Sequence, residues 1–153
     1  MIASAIFLSP LGRIQILGTP QTILSVQFVL SENKAEAPTS PLLREAIHQL
    51  DRYFKGDLKK FDLPLNSEGT VFQQKVWKTL QSIPYGETRS YGEIAQTIES
   101  PKASRAVGGA CNQNPWMILV PCHRVLGQKG ELVGYAGGLK IKKALLRLEE
   151  SRF

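Results

Sequence analysis

The 153 residues include only two cysteines and two histidines, yet one of each stands side by side as Cys122-His123 in the stretch NPWMILVPCHRVLG, Asn114 to Gly127. A thiol beside an imidazole is a candidate pair of nucleophile and base. The reactive form of cysteine is the thiolate. A thiol with the ordinary pKa of about 8.5 stays mostly protonated at neutral pH unless a base takes its proton. An imidazole oriented by a carboxylate can do so. The apolar run Met117 to Val120 reads as a buried strand, and neighbours on a strand point to opposite faces. Cys122 and His123 therefore meet only if the backbone turns, which Pro121 makes plausible, or if a water links them. On residue type alone, an inert buried cysteine beside a surface histidine is the commoner arrangement. Cys111 has no basic neighbour in sequence and reads as structural. The Cys and His residues show no repeated ligand spacing, so no metal and no cofactor are expected.

The elements that must position this pair can be read from periodicity. IASAIFLS, RIQILG and TILSVQFV alternate like strands around turn signals and predict an antiparallel hairpin or meander. SENKAEAPTS is polar and reads as a solvated loop. Ser40-Pro41 opens a helix carrying Leu43, Ile47, Leu50 and Phe54 on one stripe, with His48 off it as a surface residue and Gly56 ending it. Thr70-x-x-Gln73 and Ser90-x-x-Glu93 are capping boxes leading two further helices. Ser100-Pro101 reads as the start of another, PKASRAVGGACNQ, so that two short helices follow each other in the manner of a helix-turn-helix unit. That last helix is thin: Ala103, Ser104, Ala106, Gly108, Gly109 and Ala110 leave little bulk. Each glycine costs up to about 1 kcal/mol against alanine. Small residues allow close approach to a strand or a nucleic-acid groove. ELVGY reads as a returning strand. LKIKKALLRLEE reads as an amphipathic helix with Ile141, Leu145 and Leu148 inward and Lys140, Lys142, Lys143 and Arg147 facing mostly solvent.

Composition bounds the class. With 42% hydrophobic residues the chain has material for one domain or two small ones, and a boundary falls near Asn66–Gly69, giving domains 1–66 and 67–153. No apolar run approaches the roughly 18 residues of a membrane span, and the N-terminus lacks the pattern of a signal peptide. Two cysteines make a poor disulfide framework, so a reducing, cytoplasmic setting is expected. Residues 1–66 carry seven Lys/Arg against six Asp/Glu, and residues 67–153 carry twelve against seven. A basic second half attracts polyanions, nucleic acid first among them.

Arg105-Ala-Val-Gly-Gly, Asn114-Pro115, Pro121-Cys122-His123-Arg124-Val125 and Gly134-Tyr135-Ala136-Gly137-Gly138-Leu139 occur in this order at close spacing. This constellation resembles the O6-alkylguanine-DNA alkyltransferase family from about Thr70 to Glu149. Over residues 1–66 only the length and the strand–strand–strand–helix order match. The resemblance implies an α/β (α+β) fold: an RNase H-like antiparallel sheet plus helix, then a mostly helical domain with a helix-turn-helix and a short active-site strand. It implies a monomeric DNA repair protein that flips O6-alkylguanine, and O4-alkylthymine, from duplex DNA and moves the alkyl group irreversibly to its own cysteine. Carried onto this chain, Cys122 is the acceptor, His123 relays its proton through water, Glu149 holds that histidine, and Asn114 braces the turn. Tyr135 donates to guanine N3, the Ala136 N–H reaches O6, the carbonyls of Cys122 and Val125 accept from the exocyclic amine, and Gly137 belongs to the same loop. Arg105 replaces the flipped base, Tyr91 crowds the 3′ phosphate, and Ser90, Lys102, Ala106 and Gly108 contact DNA as the thin helix enters the minor groove. Ala136 stands where several relatives have serine, so a side-chain hydroxyl role is absent there. The N-terminal part lacks the Cys/His set that binds zinc in some relatives.

Other readings of the same residues compete. A thiol hydrolase would use Cys122 and His123 with repeated turnover and an oxyanion site, hinted at only by the Ala136-Gly137-Gly138 loop. A helix-turn-helix regulator would need no chemistry. A redox pair of Cys111 and Cys122 lacks the spacing of a CxxC site. Stoichiometry separates the first of these from alkyl transfer.

Overall fold

A computed structural model describes residues 1–30, 35–66 and 68–150. The chain divides into two compact units, Met1–Asn66 with Pro115–Leu119, and Ser67–Asn114 with Val120–Phe153. Residues 31–34 of the expected polar loop lie outside the described residues.

In the first unit, β1 (Ala3–Ser9), β2 (Gly12–Gly18) and β3 (Ile23–Val29) form the expected antiparallel meander in chain order. The register places Ala5, Ile16 and Val26 in one rung, and all three are fully buried. Helix α1 (Pro41–Phe54) packs on β1 and β2. Ser40 caps it by accepting from the Leu43 N–H, and Pro41 sits in the first turn, where a missing N–H costs nothing. Its buried stripe is Leu43, Ala46, Gln49, Leu50 and Tyr53, whereas Ile47 and Phe54, expected inward, are only half-buried. His48 is exposed, as expected. Each fully buried leucine or isoleucine of this layer stabilises it by about 1.5–3 kcal/mol. Gln49 is buried because its amide stands in for a strand partner. Its Nε2 donates to the Asp62 carbonyl at 3.0 Å and its Oε1 accepts from the Asp62 N–H at 2.9 Å.

The run Met117–Val120 is buried but is not the predicted strand. Its first part, Pro115–Leu119, belongs to the first unit. There the Val26 N–H donates to Pro115 at 2.8 Å, the Met117 N–H to Val26 at 3.0 Å, and Trp116 Nε1 to Ile23 at 2.9 Å. Only an isolated bridge forms, Val26 with Trp116. Ile118 then has φ 73°, and the Leu119 N–H bonds the Met117 carbonyl at 2.9 Å. This is a γ-turn of the hand that L side chains resist. Such a conformation costs on the order of 1–3 kcal/mol, and it persists because Ile118 is 1% exposed among buried neighbours.

The second unit holds α2 (Val71–Gln81), α3 (Tyr91–Thr97), α4 (Ser104–Asn112) and α5 (Leu139–Glu150). Two-residue strands β4 (Arg89–Ser90) and β5 (Val125–Leu126) pair in parallel. Both capping boxes form as read. Trp77 Nε1 donates to the Ala110 carbonyl at 2.9 Å and ties α2 to α4. Helix α3 ends with Glu99 in the left-handed region, its N–H on Gln96 and the Ser100 N–H on Ala95. That is a paired C-terminal cap, after which a proline commonly follows. Pro101 therefore belongs to the exit from α3, and α4 starts later than expected, at Ser104. ELVGY forms no strand. Helix α5 is rotated from its expected register: Lys142, Leu145, Leu146 and Glu149 are buried, while Ile141 and Leu148 are half-buried. Lys142, read as facing solvent, is 0% exposed. No helix among the described residues is long and apolar enough to cross a membrane.

Candidate active site

The chain re-enters the second unit at Val120 and turns at once. Pro121 has φ −80° and ψ 65°, and the Cys122 N–H bonds the Val120 carbonyl at 2.8 Å, an inverse γ-turn. Cys122–Arg124 follow as a single 3-10 turn, closed by the Arg124 N–H on Pro121 at 3.0 Å. The backbone thus departs from strand geometry where a cooperating Cys122 and His123 require it to. Asn114 spans the neck of the excursion: its Nδ2 donates to the Val120 carbonyl at 2.8 Å and to Cys122 Sγ at 3.3 Å.

Cys122, His123, Arg124 and Glu149 are all buried. His123 Nε2 lies 2.7 Å from Glu149 Oε2. Arg124 grips the same carboxylate as a fork, Nε to Oε1 at 2.8 Å and Nη2 to Oε2 at 3.0 Å, while Nη1 donates to the Ile83 carbonyl at 2.7 Å. The Arg124 guanidinium carbon lies 5.7 Å from the centre of the Tyr85 ring. Burial opposes ionisation of Glu149, but His123 and Arg124 outweigh it and hold the carboxyl well below the usual carboxylate range. A carboxylate only accepts, so the shared proton sits on Nε2 and His123 Nδ1 carries the free lone pair. That Nδ1 has no hydrogen-bond partner among the described residues. Burial pushes the imidazole pKa down, against the pull of Glu149. Burial pushes the Cys122 thiol up, against the Asn114 bond and the Lys142 charge. The resting pair is therefore neutral thiol and neutral imidazole. Cys111 is also buried, and burial raises its thiol to about 12, which makes it inert.

Arg124 had no role in the sequence reading, although it stands in the same motif; its partner is 25 positions away. Lys142 was also missed. The signal was available: it lies seven residues before Glu149, two helical turns, so a functional Glu149 puts Lys142 on the inner face as well.

The substrate residues expected in the loop form a turn. The Gly138 N–H closes it onto Tyr135 at 2.9 Å, with Ala136 and Gly137 at its tip. Tyr135 Oη is buried without a partner among the described residues, and burial first, then the charges of Cys122 and Glu149, raise its pKa well above the usual value. Val125 is fully buried in β5, and its N–H already occupies one lone pair of the Cys122 carbonyl. A groove of about 720 Å³ opens beside α4, lined among others by Ser90, Tyr91, Arg105, Gly108 and Gly134. Cys122 does not line it. Arg105 and Ala106 are exposed on α4, whose inner face is Val107, Ala110 and Cys111. Lys102 lies apart from the groove, in a shallow depression with Ser100 and Ala103. Among the described residues no group of three or more His, Cys, Asp or Glu is placed to hold a metal ion.

Two family models match the chain. One, for the ribonuclease-like domain of 6-O-methylguanine DNA methyltransferase, spans residues 2–67, and the other, for the DNA binding domain of the same family, spans 71–151. A methylated-DNA–protein-cysteine methyltransferase of Methanosarcina acetivorans is 54% identical over 152 residues, 96% of this chain and 97% of that one. The crystal structure of Mycobacterium tuberculosis O6-methylguanine methyltransferase superposes with TM-score 0.89 at 44% identity, covering 100% of this chain and 95% of the other. A structure of the M. tuberculosis protein in complex with DNA gives 0.88 at 46% identity, covering 96% and 92%.

Proposed function

Because this chain belongs to the 6-O-methylguanine DNA methyltransferase family, we propose that it repairs DNA by moving an alkyl group from guanine O6, and from thymine O4, onto the sulfur of Cys122. The observation that carries this reading is the buried line Cys122, His123, Glu149, in which the carboxylate fixes the imidazole and leaves Nδ1 open. The thiol proton passes to His123 Nδ1 through one water. Sulfur then attacks the alkyl carbon, the carbon–O6 bond breaks, and its electron pair moves into the guanine ring. Glu149 steadies the imidazolium that forms. The Tyr135 hydroxyl, its proton firmly held, donates to guanine N3, and the Ala136 N–H serves O6. The thioether is not hydrolysed, so each molecule acts once.

The partner is DNA. We infer a minor-groove approach by α4, with Arg105 filling the space of the flipped base, Tyr91 against the 3′ phosphate, and Ser90, Lys102, Ala106 and Gly108 as further contacts. Gly109 supports this. A Cβ added there would meet nothing within 4 Å, so packing in the unit does not call for glycine. A groove of about 6 Å does. Gly109→Ala should stabilise the protein by about 0.5–1 kcal/mol in urea unfolding while weakening duplex binding; stabilisation with unchanged binding would leave the thin helix unexplained. Every proposed site residue comes from 67–153 of one chain, so a monomer suffices, and both cysteines are free, as a reducing cytoplasm would keep them. The domain division we favour is 1–66 and 67–153, with 115–119 as an excursion of the second into the first.

Arg105→Ala tests the docking. It should slow transfer from O6-methylguanine in duplex DNA at least about tenfold, since unstacking costs a few kcal/mol, and leave the reaction with free O6-benzylguanine nearly unchanged. Equal loss with both substrates would remove Arg105 from the DNA interface.

A further inference from the structure

Helix α5 buries an ammonium that the reaction above does not use. Lys142 is 0% exposed, and among the described residues no carboxylate lies within salt-bridge range of it. A buried charge without a counterion is expensive unless dipoles replace its water. Here they do: Nζ donates to the Gly134 carbonyl at 3.0 Å, the Val133 carbonyl at 3.2 Å and Tyr91 Oη at 3.4 Å. Tyr91 Oη itself donates to the Val133 carbonyl at 2.8 Å, and its ring centre lies 5.7 Å from Nζ. These bonds matter because 131–138 has no helix or strand to hold it, and Gly134 and Gly138 take φ of 58° and 96°. Tyr135 and Ala136 follow the clamped carbonyls directly.

We propose that Lys142 is a positioning residue whose ammonium ties the Val133 and Gly134 carbonyls to the Tyr91 hydroxyl and so fixes the base-holding loop, Tyr135 and Ala136, at the Cys122 site. This rests on the reading of that loop under Proposed function. It gives one side chain two duties. It joins the residue assigned to the DNA phosphate, Tyr91, to the residues assigned to the base. Its charge also faces the site: Tyr91 on α3 touches it, and Cys111 on α4 and Cys122 and His123 on the 3-10 turn lie within its field. Burial lowers the Lys142 pKa, while the two cysteines raise it. A thiolate at Cys122 is thus the natural counter-charge of this lysine.

The test compares wild type, Lys142→Met and Lys142→Arg, each with its melting temperature, using two reagents at Cys122. O6-benzylguanine needs the loop; iodoacetamide needs only the thiolate. Lys142→Met should raise the half-saturating O6-benzylguanine concentration at least about tenfold, as misplacement by an ångström can cost more than that. It should also move the pH midpoint of iodoacetamide labelling upward, because the thiolate loses a neighbouring cation. Lys142→Arg should keep the wild-type pH midpoint and show an intermediate loss of saturation, and it carries the test alone if Lys142→Met does not fold. Wild-type saturation in both variants would overturn the proposal. So would equal losses toward both reagents together with a lower melting temperature, which a merely structural lysine produces. Absence of any O6-benzylguanine labelling of Cys122 in the wild-type protein would instead overturn the loop's assignment, and the lysine's role with it.

Discussion

Cys122→Ser should bind O6-methylguanine duplex as tightly as the wild-type protein and accept no alkyl group from it. Oxygen replaces sulfur with little change of shape, and the Asn114 amide that bonds Sγ at 3.3 Å can bond a hydroxyl equally well. The fold and the α4 surface are therefore untouched. The chemistry is not, because an alcohol holds its proton far more tightly than a thiol. Burial has already lowered the basicity of His123, which must remove it. Parallel gel-shift and transfer assays separate the two properties. A serine variant that still cleared the lesion would place the acceptor elsewhere. One that lost DNA binding as well would mean that Cys122 serves docking rather than transfer.

Glu149→Gln should reduce the rate with free O6-benzylguanine by about 10²–10⁴, the usual worth of a positioned proton acceptor. The variant keeps a group able to meet Nε2 but removes the charge that sustains His123 as a base. The pH profile carries the diagnosis. The wild-type acid limb should fall below pH about 6.5, the ordinary histidine value, because burial depresses the His123 pKa. Removing Glu149 removes the influence that raises that pKa, so the limb should move further into acid while the plateau drops. An unchanged limb with a lower plateau would assign Glu149 to structure alone. Stability gives a second reading. Both His123 and Glu149 have depressed folded pKa values, so each contributes stability that is present above its unfolded pKa and lost as pH falls towards the folded one. The wild-type protein should weaken progressively below pH about 6.5, more steeply below about 4.3, and Glu149→Gln should lack the second part. The variant also leaves the Arg124 guanidinium without its anion, a loss of about 3–5 kcal/mol for a buried pair. Rates must therefore be taken under conditions where it is folded.

Local patterns were legible in the chain and distant pairings were not. The meander, the Ser40 cap and the two capping boxes follow from period-two alternation and from side chains that bond backbone within three residues. The motif residues Cys122, His123 and Asn114, with Glu149, are legible in the sequence, and the fold gathers them around one 3-10 turn. The path between Asn114 and Val120 was misread because its partners, Ile23 and Val26, lie about ninety positions earlier, and because a γ-turn on isoleucine has no sequence signal. Lys142 was misread for a different reason. Lysine is almost never fully buried, so a helix with four basic residues invites the assumption that all of them face water. What overrides this is a ring of carbonyl and hydroxyl dipoles supplied by a loop and by α3, neither of which helix periodicity can see.

The most direct test of the central claim is intact-mass spectrometry of the protein after incubation with O6-methylguanine duplex, followed by peptide mapping. The account predicts the mass of a single methyl group per chain, carried by the peptide that contains Cys122, with product never exceeding the protein present. Methyl mapped to Cys111 or any other residue, or product accumulating beyond one equivalent, would contradict it.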